Sequence, residues 1–200
     1  MTTRSDDRRP YVSRGGLKLR AALDAFAIDV RAMVCADLGC STGGFTDCLL
    51  QAGAAKVTSV DTGYGVLAWK LRQDARVKVI ERSNALHTAV PPEADKCDLV
   101  VIDLGWTPQK LCIPAALGWL KTGGSILSLI KPHYEDKAAA QEHRGILPDA
   151  VASAIVAKVL EEMAGLGVRV RGVIESPIRG SKATREGEGN LEQVAWLTRL

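Results

Sequence analysis

The sequence predicts a Rossmann-like α/β domain: a mostly parallel, seven-stranded sheet with helices on both faces and an antiparallel last strand. Three observations carry this. Short apolar runs of strand length recur along the chain, helix-length segments separate most of them, and a small-residue turn directly follows the first run. Parallel strands joined by right-handed crossovers satisfy such an alternation.

Taken in order, residues 1–13 read as a flexible basic arm and 14–200 as the folded domain. Leu17, Ala21, Leu23 and Phe26 recur at helical spacing, which predicts a leading helix over 16–28. Strands are predicted at 33–38, 56–61, 77–81, 99–103 and 125–131, where the runs are rich in β-branched residues or leucine. A long amphipathic helix over 149–166 stops at Gly167 and leads into a strand at 168–175, and a final strand covers 191–197. The segment 176–190, rich in Gly, Ser, Lys and Arg, reads as a mobile connection between two antiparallel neighbours.

With 200 residues, 46% of them hydrophobic, the chain can close one full core. Its longest apolar stretches, 99–102 and 125–130, are strand-length, and the charged N-terminus lacks a signal-peptide core, so a cytoplasmic protein without membrane contact is expected. Five cysteines without a CxxC pair suggest neither a disulfide framework nor a metal site. The net charge of +3 is only weakly basic, but its placement is uneven. Arg4, Arg8, Arg9, Arg14, Lys18 and Arg20 precede the first strand; Arg169, Arg171, Arg179, Lys182 and Arg185 gather near the other end. If those ends meet, they make a rim for phosphates.

The strongest local signal is ADLGCSTGGFTDC at 36–48, a strand end followed by a turn that opens a helix. Gly39, Gly43 and Gly44 let backbone approach a ligand. A dinucleotide fold prefers G-x-G-x-x-G there; this turn suits the amino-acid end of S-adenosylmethionine better, with Asp37 near its ammonium group and Gly39, Ser41, Thr42, Gly43, Gly44, Phe45 and Thr46 supplying donors and a shape limit. A ligand-free strand-to-helix turn is the plain alternative. Asp61, ending the second strand beside Thr62, can accept from a ribose diol or act as a cap. Asn84 offers an amide to a base edge, and reads equally as a turn residue. Asp103 and Lys131 close the fourth and fifth strands at the carboxyl edge, where open α/β sheets keep their sites. A lysine ending an apolar strand requires a partner, and Asp103 is placed to be one, in catalysis or in a structural ion pair.

The blocks YVSRGGLKL (11–19), STGGFTDCLL (41–50), VDTGYGVLAWKLRQDARV (60–77), ERSN (81–84), LVVIDL (99–104), LIKPH (129–133), SPIRG and GNLE together closely resemble the FtsJ-like RNA 2′-O-methyltransferases, and within them the TlyA-type, haemolysin-A-like ribosomal RNA subgroup. The resemblance runs from Tyr11 to Leu197. It implies an S-adenosylmethionine cofactor, no metal, and a catalytic tetrad at Lys18, Asp103, Lys131 and Glu192, with RNA, ribosomal RNA foremost, as partner; a homodimer is left open. Asp103 then also borders the cofactor. A hydroxyl is a poor nucleophile, so such a set must align it and remove its proton. Lys131 could take that proton if desolvation and Lys18 depress its pKa well below about 10.4, a shift that Asp103 opposes. Lys18 and Glu192 then orient the ribose and its phosphate.

Three departures from the family pattern stand out. TlyA-type proteins usually carry a small N-terminal RNA-binding domain, for which this chain has no room. GWTP at 105–108 replaces a serine–phenylalanine pair, so that Trp106 either stacks a flipped base or packs the core. The segment 181–189 is longer than usual. Arg14, Arg20, Trp106, Arg179 and Lys182 are the candidate RNA contacts. A catalytically silent RNA-binding module and a methyltransferase with another hydroxyl acceptor are the competing readings, while no segment could span a bilayer as a haemolysin would.

Overall fold

The computed structural model describes residues 10–180 and 189–200; the expectations for Lys182, for 181–188 and for the arm before Pro10 lie outside them. Seven strands form one sheet in the order β3-β2-β1-β4-β5-β7-β6: β1 Val34–Leu38, β2 Lys56–Val60, β3 Val77–Ile80, β4 Cys97–Ile102, β5 Leu120–Ile130, β6 Val168–Glu175 and β7 Gln193–Arg199. The first five pair in parallel, and β7 runs antiparallel between β5 and β6, as the sequence predicts.

The helices are α1 Gly15–Ala25, α2 Gly44–Gln51, α3 Trp69–Arg72, α4 Gln109–Trp119, α5 Pro132–Glu135, α6 Lys137–Glu142 and α7 Asp149–Glu162. The two-residue period of a strand sorts the core between two layers. In β4, Val100 and Ile102 join Ile113 and Ala116 of α4 and Val156 of α7 on one face. Leu99 and Val101 join Leu19 and Leu23 of α1 and Phe45 and Leu49 of α2 on the other. The helix expected over 149–166 tightens to 3-10 geometry at Met163–Leu166 and stops at Gly167, whose φ is +82°.

The crossover between β3 and β4 departs from a regular α/β alternation. It holds no α-helix, only a 3-10 turn at Glu93–Asp95, because Pro91 and Pro92 interrupt a segment without helical periodicity. That leaves residues 81–92 as a loop that begins at the carboxyl edge of the sheet, where Ser83, Asn84 and Ala85 line the cleft, and runs back toward the amino edge, where Val90 packs on Gly118.

Register then decides what gathers at that edge. Asp61, Asp103 and Lys131 each follow the last residue of a parallel strand. Because β7 is antiparallel, its beginning lies at the same edge: Gln193 pairs with Ile130, which sets the preceding Glu192 beside Lys131. Reversing the last strand is thus what brings a C-terminal carboxylate to residues 103 and 131.

Candidate active site

The turn after β1 is built by backbone hydrogen bonds. Gly39 and Cys40 N–H both donate to the Val60 carbonyl, at 2.9 and 3.1 Å, and Gly43 N–H donates to the Cys40 carbonyl at 2.8 Å. Gly39 has φ +90°, and a Cβ there would lie 2.8 Å from the Asp103 carbonyl oxygen. Gly43 has φ +100°, and a Cβ would lie 2.4 Å from a Leu71 methyl. Ser41 is also left-handed, at φ 47°, and its N–H donates to Asp61 Oδ2 at 2.7 Å. Strain concentrated in one turn is a mark of a ligand-binding element.

Asp37 supports this turn from beneath. It is fully buried, and its Oδ2 accepts from the Thr46 N–H at 2.9 Å and the Thr46 hydroxyl at 2.7 Å, while Oδ1 is buried without a partner among the described residues. Burial pushes its carboxyl up to about 7 against the lowering effect of the Thr46 bonds, and Asp103 adds to the rise. Asp37, Thr46 and Gly43 therefore shape the turn from behind, while Gly39, Ser41, Thr42, Gly44 and Phe45 face the open space above it.

That space has two compartments that share Gly39, Ser41 and Asp103 as a common wall. The larger, of about 520 Å³, includes Asp61, Thr62, Asn84, Trp106 and Lys131 in its lining. The smaller, of about 280 Å³, includes Arg14, Lys18, Thr42 and Phe45. Asp61 accepts from Ser41 N–H and Gly63 N–H on separate oxygens, at 2.7 Å each, leaving each oxygen a further lone pair. Asn84 turns its Oδ1 onto the Leu86 N–H at 3.0 Å, so the turn-residue reading holds for its oxygen.

Of the four expected catalytic residues, Asp103 borders both compartments, Lys131 the larger and Lys18 the smaller. Lys131 Nζ lies 2.5 Å from Asp103 Oδ1. Lys18, delivered by α1, pairs with Glu192, and both are buried. Charge on Lys131 is felt from Glu192 as well as Asp103, so the two pairs form one electrostatic group.

The depressed Lys131 required of a resting base is not what the structure holds. Burial works against its ammonium, but Asp103, helped by Glu192 and Tyr134, outweighs it and raises the group above its ordinary value. The attraction of a carboxylate in contact exceeds the desolvation cost of a side chain still 13% exposed.

Beside Lys131 lies an aromatic platform that the sequence reading only half anticipated. Trp106 is 71% exposed, so it does not pack the core, and its ring sits 5.0 Å from that of Tyr134. Tyr134 also contacts the His133 ring at 4.1 Å and lies 5.7 Å beneath Lys131 Nζ. With Lys137, Gln141 and Gly145 these rings line a mostly apolar hollow of about 390 Å³. The signal was the YE that follows KPH, one helical turn past Lys131.

Other expected contacts lie elsewhere. Arg20 pairs with Asp24 one turn along α1 and lines a separate hollow with Asp29 and Arg31. Arg179 makes a two-pronged pair with Asp149 at the start of α7, at 2.6 Å on each prong. Arg20 and Arg179 are thus each engaged by a carboxylate, Arg14 lines the smaller compartment, and Arg4, Arg8, Arg9, Lys182 and Arg185 lie outside the described residues.

A sheet of this order, with a glycine turn after β1 and charged strand ends around a two-part cleft, defines a methyltransferase of the doubly wound class. The chain belongs to the FtsJ-like methyltransferase family, whose model matches residues 11–186. It is 41% identical over 200 residues to the 16S/23S rRNA (cytidine-2′-O)-methyltransferase TlyA of Mycobacterium tuberculosis, covering 98% of this chain and 72% of that protein. A solved structure described as a hemolysin from Streptococcus thermophilus superposes with a TM-score of 0.85 at 36% identity, covering 97% of this chain and 69% of that one. Aeropyrum pernix fibrillarin, solved with S-adenosyl-L-methionine, shares the fold at a TM-score of 0.60 and 16% identity, over 90% of this chain and 74% of its own. Among the described residues no helix is long and apolar enough to cross a membrane.

Proposed function

We propose that the protein transfers a methyl group from S-adenosylmethionine to a ribose 2′-hydroxyl of RNA, with ribosomal RNA as the favoured class, in the cytoplasm. The observation that carries this is a pair of lysine–carboxylate contacts at the cleft, Lys18–Glu192 buried and Lys131–Asp103 partly exposed, with Asp103 bordering both compartments. The relatives' ribosomal RNA activity supports the choice of acceptor.

The residues present fit the cofactor. Spare lone pairs on Asp61 suit a ribose diol, the Asn84 amide suits a base edge, and the strained turn offers backbone for close approach, with Asp37 adding negative potential beneath it. The bound cofactor supplies a methyl already activated on a sulfonium, so the protein's task is alignment and proton removal.

Lys131, an ammonium held by Asp103, donates to the acceptor oxygen and fixes its direction. Asp103, the carboxylate that pairs with Lys131 and borders both compartments, would receive the hydroxyl proton as the acceptor oxygen takes the methyl from the sulfonium, which would be left a neutral thioether. Lys18, set by Glu192, holds the acceptor's sugar–phosphate, Arg14 adds a second cation at the same compartment, and Trp106 stacks the base.

Labelled S-adenosylmethionine, offered with unmodified ribosomal subunits, free ribosomal RNA and transfer RNA, tests the reading. Label mapped to a ribose 2′-oxygen of ribosomal RNA is the expected result. Label on another hydroxyl overturns the acceptor assignment, and cofactor binding without transfer to any of them overturns the RNA assignment in favour of a different acceptor or a silent binding module.

A further inference from the structure

The loop between the catalytic carboxylate and α4 is fastened at both ends to one short stretch of chain. At its start, Asp103 pairs with Lys131. At its end, the Gln109 N–H, the first of α4, lies 3.0 and 3.1 Å from the two carboxylate oxygens of Glu135. Gln109 is buried and its side chain is tied as well: Ser128 Oγ donates to its Oε1 at 2.6 Å, and its Nε2 donates to the Leu129 carbonyl at 3.3 Å, so Glu135 acts on the backbone that leads back into the loop. Lys131 and Glu135 are four residues apart, the first preceding α5 and the second ending it, so α5 acts as the bracket that fixes both ends.

Between the fastenings the loop is strained. Trp106 has φ 61°, a left-handed conformation uncommon for a bulky side chain that persists only where the surroundings impose it. Its ring lies over Tyr134, itself carried by α5 between Lys131 and Glu135. Inside the loop, Thr107 Oγ1 donates to the Gly105 carbonyl at 2.9 Å, which tightens the turn but gives it no anchor outside itself. Cys112 Sγ of α4 also reaches the Thr107 carbonyl at 3.6 Å, so the path of the loop, and with it the direction of the Trp106 ring, depends on where the start of α4 is held.

Resting on the assignment of Lys131 and Asp103 above, we propose that Glu135 is a positioning residue for methyl transfer. By capping α4 it fixes the 104–108 loop, aims Trp106 across Tyr134 and keeps Asp103 on Lys131. It touches neither acceptor nor cofactor.

The surroundings of Glu135 make this arrangement sensitive to pH. Lys110 of α4, Lys158 and Glu162 of α7, and Asp136 line the same hollow, and Cys112 lies within its electrostatic reach. Burial pushes the Glu135 carboxyl up to about 7, the Gln109 N–H works against that rise, Glu162 adds to it and Lys110 opposes it. An N–H bond to a carboxylate is charge-assisted; protonation removes that assistance and loosens the cap.

Two measurements on the full chain between pH 5.5 and 8.5 test the proposal: the transfer rate on unmodified ribosomal RNA, and the fluorescence of Trp106 taken as wild type minus Trp106→Phe. Both should decline on the acid side with a midpoint near the 7 of Glu135. In Glu135→Gln the limb should vanish and the rate stay roughly tenfold low throughout, the equivalent of one weakened hydrogen bond to a charged group. Glu162→Gln, an exposed change far from the chemistry, should move the midpoint down by roughly half a unit through loss of one repelling charge.

A limb unchanged in both variants overturns the proposal and assigns the titration to another group, such as Asp37, which neither variant alters. If Glu135→Gln does not fold, Glu162→Gln still decides. If no RNA is methylated, the Trp106 titration and its response to the two variants decide the positioning role by themselves, and only the acceptor reading fails. If transfer occurs but Trp106 does not respond to Glu135→Gln, the reverse holds.

Discussion

The two walls of the cleft are held by different physics. The wall after β1 is fixed by backbone: Gly39, Cys40 and Ser41 N–H groups are committed to Val60 and Asp61, and the one carboxylate beneath is sealed from water. The facing wall, from Asp103 to Glu135, is fixed by side chains: an ion pair, a carboxylate cap and two stacked rings. A backbone-built wall tolerates substitution only where no Cβ intrudes, and it presents a constant shape. A side-chain wall can be retuned one residue at a time, and it responds to charge and to pH. Shape recognition of a cofactor belongs to the first, and proton handling with RNA contact to the second.

The largest effect should come from the second wall. Lys131→Ala removes the cation that aligns the acceptor oxygen and leaves Asp103 without its partner, so the transfer rate should fall by roughly 10²–10⁴-fold, the range of a positioned acid–base group. Cofactor affinity, measured by calorimetry, should change little because the turn and Asp61 are intact. Equal losses of affinity and rate would erase the division between the walls.

Gly43→Val strikes the first wall instead. The new side chain meets Leu71 and Leu67 and forces a β-branched residue to φ +100°. Several kcal/mol of stability should be lost. In whatever fraction folds, cofactor affinity should fall before any effect on RNA binding, and isothermal titration with each ligand separates the two.

Asp37→Asn tests the first wall through pH. The folded carboxyl sits near 7 against an unfolded value of about 3.8, so the native state binds its proton more tightly. Stability from that proton is fully present below about pH 4 and is lost as pH rises toward 7, with a limiting slope of about 1.4 kcal/mol per pH unit. Denaturant unfolding should therefore show wild type losing stability relative to Asp37→Asn across that window. A difference that is flat with pH means that the carboxylate is not sealed as the structure shows.

The same contrast explains what was legible in the sequence. The first wall announces itself locally, because small residues at fixed offsets after a strand have few other uses, and ADLGCSTGG was readable as a turn against a ligand. The carboxyl-edge positions of Asp103 and Lys131 followed from strand ends alone. The second wall depends on residues whose meeting requires the fold: Glu192 reaches Lys131 only through the antiparallel register that pairs Gln193 with Ile130. Glu135 carries no local signal, since what it caps lies 26 residues earlier. The basic rim was inferred from charge spacing, which says nothing about partners, and Asp24 and Asp149 engage two of its arginines.

That last point yields the smallest prediction. Arg14 lines the compartment with Lys18, whereas Arg179 is held by both prongs on Asp149. A phosphate must compete with that carboxylate to recruit Arg179, so little affinity is gained there, and an exposed pair is itself worth at most about 1 kcal/mol. Neutralising a residue that touches phosphate lowers the slope of log affinity against log salt by about one. Arg14→Gln should therefore reduce the salt slope of RNA binding by about one, and Arg179→Gln should leave it nearly unchanged. Asp149→Asn, which weakens this hold on Arg179 without removing the arginine, should move RNA affinity slightly upward. If instead Arg179→Gln lowers the slope as much as Arg14→Gln, the ion pair opens on RNA, and the second wall extends past Glu192 to the start of α7.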